Sequence, residues 1–148
     1  KGNRKTWWTV QDSAHYRKKA KMLVKQFNTY TVAGGLKVNG QLTLGENIAD
    51  LGGASIAYDA YKLRLAKTGR KNIDGFTPEQ RFFLGYAKFW RENERLEATK
   101  TSVLTDPHSP SRFRVNGPLS NLPEFYEAFC VKKSDKLYRA SNNRAKIW

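Results

Sequence analysis

The sequence predicts a mainly α-helical chain with short strands at most. Apolar residues recur at three- and four-residue spacing in several stretches, as helices with one buried face require. One stretch, Thr77-Pro78-Glu79-Gln80, carries a complete helix-start signal. Arg112-Phe113-Arg114-Val115 alternates with period two, and reads as a short strand at most. At 148 residues the chain is one domain's worth and long enough to bury a core.

Thr9 to about Thr31 reads as a long amphipathic helix. Asp12 or Ser13 is its expected cap, and Tyr16, Ala20, Leu23, Val24 and Phe27 form its apolar stripe. Arg17, Lys18, Lys19 and Lys21 are expected to face solvent. Gly34 to Gly40 reads as a turn or short strand. A second helix carries Gly45-Glu46-Asn47-Ile48-Ala49-Asp50-Leu51-Gly52-Gly53 and runs to about Lys67. Its apolar positions are Ile48, Leu51, Ile56, Tyr58, Ala60 and Leu63. Gly52 and Gly53 each lower helix propensity by about 1 kcal/mol relative to alanine. That cost predicts the close approach of another backbone there.

Residues 68–72 and Asp74-Gly75 form a loop. Thr77 then caps a helix with Pro78 at its first position and Gln80 closing a capping box. Phe82, Phe83, Tyr86, Phe89 and Trp90 line one side of it. Glu92 to Leu104 continues as helix, with or without a break. Asp106-Pro107-His108-Ser109-Pro110 is a loop, and Pro123 opens a helix from Glu124 to Phe129. Residues 131–148 are basic and poorly periodic, and no internal repeat or low-complexity linker occurs.

Lys and Arg number 27 against 13 Asp and Glu, a formal net charge of +14. Such a charge suits nucleic acid, an anionic membrane or acidic peptides. It equally suits the basic side of a larger protein whose other part is acidic. The basic residues are scattered, and no paired zinc finger or RNA-recognition strand is present, so no nucleic acid partner is expected. No apolar run reaches about 18 residues, so no membrane segment is expected in this chain. The single cysteine, Cys130, cannot form an internal disulfide, and cysteine usage leaves the compartment open. His15 and Cys130 read as structural.

Glu46 and Asp50 stand four residues apart, so a helix puts both carboxylates on one face. Such a pair is ordinarily a first-turn acid favoured by the helix dipole, followed by a solvated one. The surrounding residues point elsewhere. Val38-Asn39-Gly40, Leu42-Thr43-Leu44 and then Gly45 to Gly53 resemble the third-ligand helix of the neprilysin and endothelin-converting enzyme family of zinc metallopeptidases. Trp7-Trp8-Thr9 resembles the segment preceding that helix. His108-Ser109-Pro110-Ser111-Arg112-Phe113-Arg114-Val115-Asn116-Gly117 resembles the family's substrate-contacting loop. Pro123-Glu124-Phe125-Tyr126-Glu127-Ala128-Phe129 and Lys146-Ile147-Trp148 resemble its C-terminus. These blocks cover nearly the whole chain in the family's order. Ala145 stands where vertebrate members carry a cysteine, so a bacterial-type member is the better match.

The resemblance implies the C-terminal portion of a zincin-like (thermolysin-like) catalytic domain over residues 1–148, without the upstream His-Glu-x-x-His helix. His15 and His108 are the only histidines, and neither has a second histidine four residues away. The implied roles are Glu46 as third zinc ligand and Asp50 as the carboxylate that holds the spare nitrogen of a ligand histidine. His108 would stabilise an oxyanion, and Arg114 would bind a substrate carbonyl or carboxylate. Phe89 and Trp90 would line an apolar substrate pocket. Arg112 lies two residues from Arg114, on the same face of any strand, so the Arg114 assignment rests on register from His108.

The implied activity is zinc-dependent endopeptidase hydrolysis of small peptides by metal-activated water. The implied partners are peptide substrates and the missing N-terminal part of the same protein. One zinc ion is expected in the full-length protein. This chain alone is expected to bind it weakly or not at all, and to be inactive. The expected location is periplasmic, cell-envelope or secreted. A different class remains open at this point: a basic helical module that binds nucleic acid or an acidic protein without catalysis. So does an interaction domain that keeps the peptidase shape without the metal.

Overall fold

The Thr9 hydroxyl accepts the Asp12 amide at 3.0 Å and donates to the Asp12 carboxylate at 2.6 Å. In the computed structural model, which describes residues 2–3, 5–32 and 34–147, helix α1 accordingly spans Val10–Phe27. The cap is Thr9, not Asp12 or Ser13. A hydroxyl at the cap takes the third-position amide, and an acid there returns the bond. The helix also stops short of Thr31. Asn28 turns its side chain out to accept the Gly40 amide at 2.7 Å, and the next residues leave through a tight turn to a single bridge between Thr31 and Lys37. Gly40 is required there, since a Cβ would lie 2.4 Å from the Val24 carbonyl oxygen. Trp148 of the terminal triplet lies outside the described residues.

Helix α2, Leu44–Thr68, is the longest. Its buried residues are Asn47, Ile48, Leu51, Ala54, Tyr58 and Leu65. Ile56 and Leu63, expected on the same stripe, are exposed, as are Gly45, Ala49, Gly53 and Ala60. At about 100° per residue these form a second strip, small and apolar, on the other side of the helix. The apolar pattern thus belongs to two faces. Among the described residues no backbone comes close to Gly53. A Cβ on Gly53 would meet open space, and Gly52 lines a cleft of about 320 Å³.

Thr77 and Gln80 make the reciprocal capping box, and α3 runs Pro78–Phe89. The chain breaks at residues 90–95 before α4, Leu96–Thr105. Helix α5 spans Ser111–Leu119, a correction to the short strand expected for Arg112–Val115. The run is too short for its alternation to decide. Phe113 and Leu119 are both buried, and the amides of Phe113 and Arg114 bond back to the Pro110 carbonyl. Pro118 sits in the last turn of α5. It has no amide to give the Arg114 carbonyl, and the Tyr86 hydroxyl donates to that carbonyl instead, at 3.0 Å. Helix α6 is Pro123–Phe129. Among the described residues the only pairings outside helices are two isolated bridges, which fits a mainly α fold.

α2 packs on α1 and α5, and α3 packs on α6 and α5. The core joins Leu23 and Phe27 of α1, Leu51 and Tyr58 of α2, Phe83 of α3, Phe113 of α5 and Phe125 of α6. Gly117 lets α5 close on α1, because a Cβ there would lie 2.4 Å from the Phe27 ring. Gln26, fully buried, donates to the Gly117 carbonyl and accepts from Asn121, which in turn accepts the Ala145 amide. The aperiodic C-terminal segment is therefore anchored by side-chain hydrogen bonds. His15 and Cys130 are both exposed, so neither serves the core. Cys130 ends α6 in the left-handed region, at φ 51°.

Candidate active site

Glu46 lies in the first turn of α2 and Asp50 one turn later. Both carboxylates face Arg114 of α5. Arg114 donates from Nε to Asp50 Oδ2 at 2.7 Å and from Nη2 to Asp50 Oδ1 at 2.8 Å. This is a two-bond fork of the kind only a guanidinium makes. Nη2 also reaches Glu46 Oε2 at 3.3 Å. The Asp50 hydrogen bonds hold the Arg114 guanidinium still more firmly protonated than usual. The Trp90 ring stacks 3.9 Å from the same guanidinium, and Tyr86 holds the Arg114 backbone. Burial, then the neighbouring Asp50 charge, pushes the Tyr86 phenol up to about 12. It therefore stays a neutral donor across the physiological range.

His108 comes to the same place from the α4–α5 loop. Its Nε2 lies 3.2 Å from Glu46 Oε2 and its Nδ1 2.7 Å from Asp106 Oδ1. Asp106 also accepts the His108 amide at 2.8 Å, so an Asx turn sets the ring's direction. The two bonds from His108, the amide first, hold the Asp106 carboxyl below the usual carboxylate range.

Helix geometry also separates the two arginines. Two residues apart on a helix is about 200°, so Arg112 points away from Arg114. Arg112 lies over the edge of Phe113 and lines an open groove of about 620 Å³ together with Trp90, Ser111 and Val115. Phe89 is 79% exposed and packs edge-on against Trp90. Of the residues singled out from sequence, Glu46, Asp50, His108, Arg114 and Trp90 form one constellation. Phe89 stands at its margin.

Four contributors went unread in the sequence. Asp106 had a local signal, an Asp two residues ahead of the histidine with a proline between. Asn47 had a weaker one, a polar residue on the buried stripe of α2; it is fully buried and accepts from Ser109. Ser109 and Tyr86 had none, because their roles depend on partners distant in the chain.

Glu46 uses only Oε2 for these contacts, and among the described residues Oε1 accepts no hydrogen bond. A free carboxylate oxygen suits zinc. Among the described residues no three His, Cys, Asp or Glu side chains are grouped to hold a metal. Glu46 thus fits as one ligand, with the others needed from elsewhere.

Known proteins share this arrangement of helices. The crystal structure of the Mycobacterium tuberculosis zinc metalloprotease ZMP1 in complex with inhibitor superposes with a TM-score of 0.94 at 40% identity, covering 99% of this chain and 23% of that one. PEPO from Lactobacillus rhamnosis gives a TM-score of 0.80 at 37% identity, covering 99% of this chain and 22% of its own. Endothelin-converting enzyme 1 of Rattus norvegicus is 45% identical over 131 residues, which are 86% of this chain and 17% of the relative. Neprilysin of Homo sapiens is 38% identical over 147 residues, 96% of this chain and 19% of the relative. The chain thus spans about a fifth of the length of the relatives it matches. With the peptidase family M13 model matching residues 1–145 as well, the chain belongs to peptidase family M13.

Proposed function

We propose that this chain supplies one wall of the active site of a zinc-dependent endopeptidase that hydrolyses small peptides. The observation that carries the proposal is the convergence of Glu46, Asp50, His108 and Arg114, from two helices and a loop, in a member of a peptidase family. Glu46 would hold the zinc through its free oxygen, with two nitrogen ligands from a His-Glu-x-x-His helix outside these residues. Zinc, when bound, supplies Lewis-acid polarisation of the scissile carbonyl and activation of water.

The remaining steps would fall to side chains of this chain. His108 Nε2 would donate to the oxygen of the attacked carbonyl as negative charge develops on it, with Asp106 fixing the ring. Such a donor is typically worth about 2.7–4 kcal/mol of transition-state stabilisation. Arg114 keeps Nη1 free of hydrogen bonds among the described residues, and that group would donate to a substrate carbonyl. Both Asp50 oxygens accept from Arg114, but each retains a lone pair with which to orient a ligand histidine. Trp90 and Phe89 would offer an apolar surface to a substrate side chain.

The open strip of α2 supports the wider setting. Gly45, Ala49, Gly53, Ile56, Ala60 and Leu63 lie uncovered next to the carboxylates. A helix apolar on both sides is normally buried on both, which fits the rest of a catalytic domain packing there. The test is peptide cleavage by the full-length protein. Chelator should abolish turnover, and Glu46→Ala should remove both bound zinc and activity. The 148-residue chain by itself should bind zinc no more tightly than micromolar and cleave nothing. Chelator-insensitive turnover, or an active Glu46→Ala variant, defeats the proposal.

A further inference from the structure

We infer that Asn47 is a positioning residue that sets His108 against Glu46 through a buried bridge to Ser109. The inference rests on the peptidase reading above for its kinetic consequence, but not for its geometry.

The bridge joins the chain neighbours of two site residues. Asn47 follows Glu46, and Ser109 follows His108. Ser109 Oγ donates to Asn47 Oδ1 at 2.8 Å. Asn47 Nδ2 donates to Thr43 Oγ1 at 2.9 Å, and Thr43 Oγ1 donates to the Asn39 carbonyl at 3.0 Å. Asn47 is 0% exposed, Ser109 3% and Thr43 2%. Both ends of the Asn47 amide are therefore used, away from water. A buried amide left with an unpaired oxygen is penalised, so the bridge fixes the loop's distance from α2 rather than merely permitting it.

Among the described residues the other polar link between loop and helix is the His108–Glu46 contact itself. Both of its partners are substantially exposed, at 48% and 39% of the side chain. An exposed pair of this kind does little to hold a loop. The Asp106 bonds to His108 are internal to the loop and turn the ring without tethering it to α2. The Arg114 bonds to Asp50 and Glu46 tie α5 to α2 beyond the loop, so within the loop the placement of His108 relative to Glu46 falls to Asn47 and Ser109. An oxyanion donor displaced by about 1 Å loses on the order of a hundredfold in rate, with ground-state binding largely kept.

The experiment uses the full-length protein with Ser109→Ala, Ser109→Thr, Asn47→Ala and the Asn47→Ala/Ser109→Ala double variant. Three readouts are taken: steady-state peptide cleavage, zinc content, and hydrogen–deuterium exchange of the 105–110 segment. Ser109→Ala should lower kcat at least tenfold with KM within about twofold and zinc content unchanged. Ser109→Thr, which keeps the hydroxyl, should recover most of kcat. The double variant should lose no more than the larger single loss, since both remove one bridge. Exchange of the 105–110 segment should rise in Ser109→Ala while that of α2 stays put.

Should Asn47→Ala fail to fold, the two Ser109 variants decide the matter. An unchanged kcat in Ser109→Ala overturns the bridge and leaves the peptidase reading standing. A full-length protein that cleaves no peptide defeats the peptidase reading instead. The bridge is then judged by exchange alone, and an unchanged 105–110 segment overturns it.

Discussion

Arg114–Asp50 and His108–Glu46 both set a nitrogen side chain against a carboxylate at one site, yet they are built for different ends. The arginine and aspartate side chains are 13% and 9% exposed, joined by two short bonds and stacked on Trp90. The histidine and glutamate side chains are 48% and 39% exposed, joined by one contact of 3.2 Å. The first pair is shielded from water and joins α5 to α2, so it contributes to the fold as well as to the site. The second is open to solvent and free to exchange partners. The roles proposed for His108 and Glu46, donor to a developing charge and ligand to a metal, would need that freedom. The difference teaches that rigidity here comes from the neighbours of the exposed pair, not from the pair.

The sharpest way to break this contrast is His108→Ala in the full-length protein. Turnover should fall by about 10²–10³ in kcat, the range for one lost oxyanion donor, with little change in KM. Its melting temperature should hardly move, because an exposed pair is worth about 0–1 kcal/mol. A melting shift as large as the arginine variant's would show that the two pairs are alike after all.

Arg114→Ala should do the reverse to stability. It leaves Asp50 with no cation beside it and removes the stack on Trp90. Loss of about 3 kcal/mol is expected, at the low end for breaking a buried pair because some solvent reaches this one. Adding Asp50→Asn should restore part of it by removing the stranded charge. Denaturant titration of the single and double variants reads this directly, and a double variant no better than Arg114→Ala would assign the loss to packing.

Gly117→Ala tests the seat of α5. The new methyl meets the Phe27 ring, and overpacking of this kind costs about 1–3 kcal/mol. If stability is unchanged, close approach of α1 and α5 is not what holds Arg114 in register. Tyr86→Phe is milder. It frees the Arg114 carbonyl that Pro118 cannot satisfy, at about 1 kcal/mol. A phenol raised by burial supports the fold at neutral pH, and that support is lost only as pH climbs from about 10 through its raised value of about 12. Ultraviolet difference titration should therefore show late-ionising tyrosines, the buried Tyr58 phenol being raised as well, and Tyr86→Phe should remove the one raised to about 12.

The smallest effect is at acid pH. The Asp106 carboxyl is held low by its bonds from His108, so its contribution is present above about 3.9 and fades as pH falls through the depressed value. Exchange of the 105–110 segment should be flat from neutral pH to about 4 once the intrinsic rate is divided out. A rise near pH 6 would mean that another group controls the loop.

Much of this was already legible in the residues. The helical spacing of Leu23, Phe27, Phe83 and their neighbours, the Thr77–Gln80 box, and the i,i+4 placement of Glu46 and Asp50 are local facts. They follow from backbone periodicity and from side chains that reach their own backbone. The order of motifs carried the family, and with it the suggestion that His108 and Arg114 belong with Glu46. Local rules misjudged the cap of α1, the state of residues 112–115, and the membership of Ile56 and Leu63 in the buried stripe. In each case competing local patterns were nearly equal.

Tertiary structure decided what no local rule could. It put Arg114, and not Arg112, against Glu46 and Asp50, because a helix sends residues two apart to different sides. It showed that Tyr86 serves a carbonyl freed by Pro118, and that Asn47 and Ser109 meet across the core. It divided the apolar residues of α2 into a buried face and an open one. These outcomes depend on groups many residues apart arriving within about 3 Å of each other. Burial then makes an unmet polar group costly enough to enforce the pairing, and neither condition is written in any short stretch of the chain.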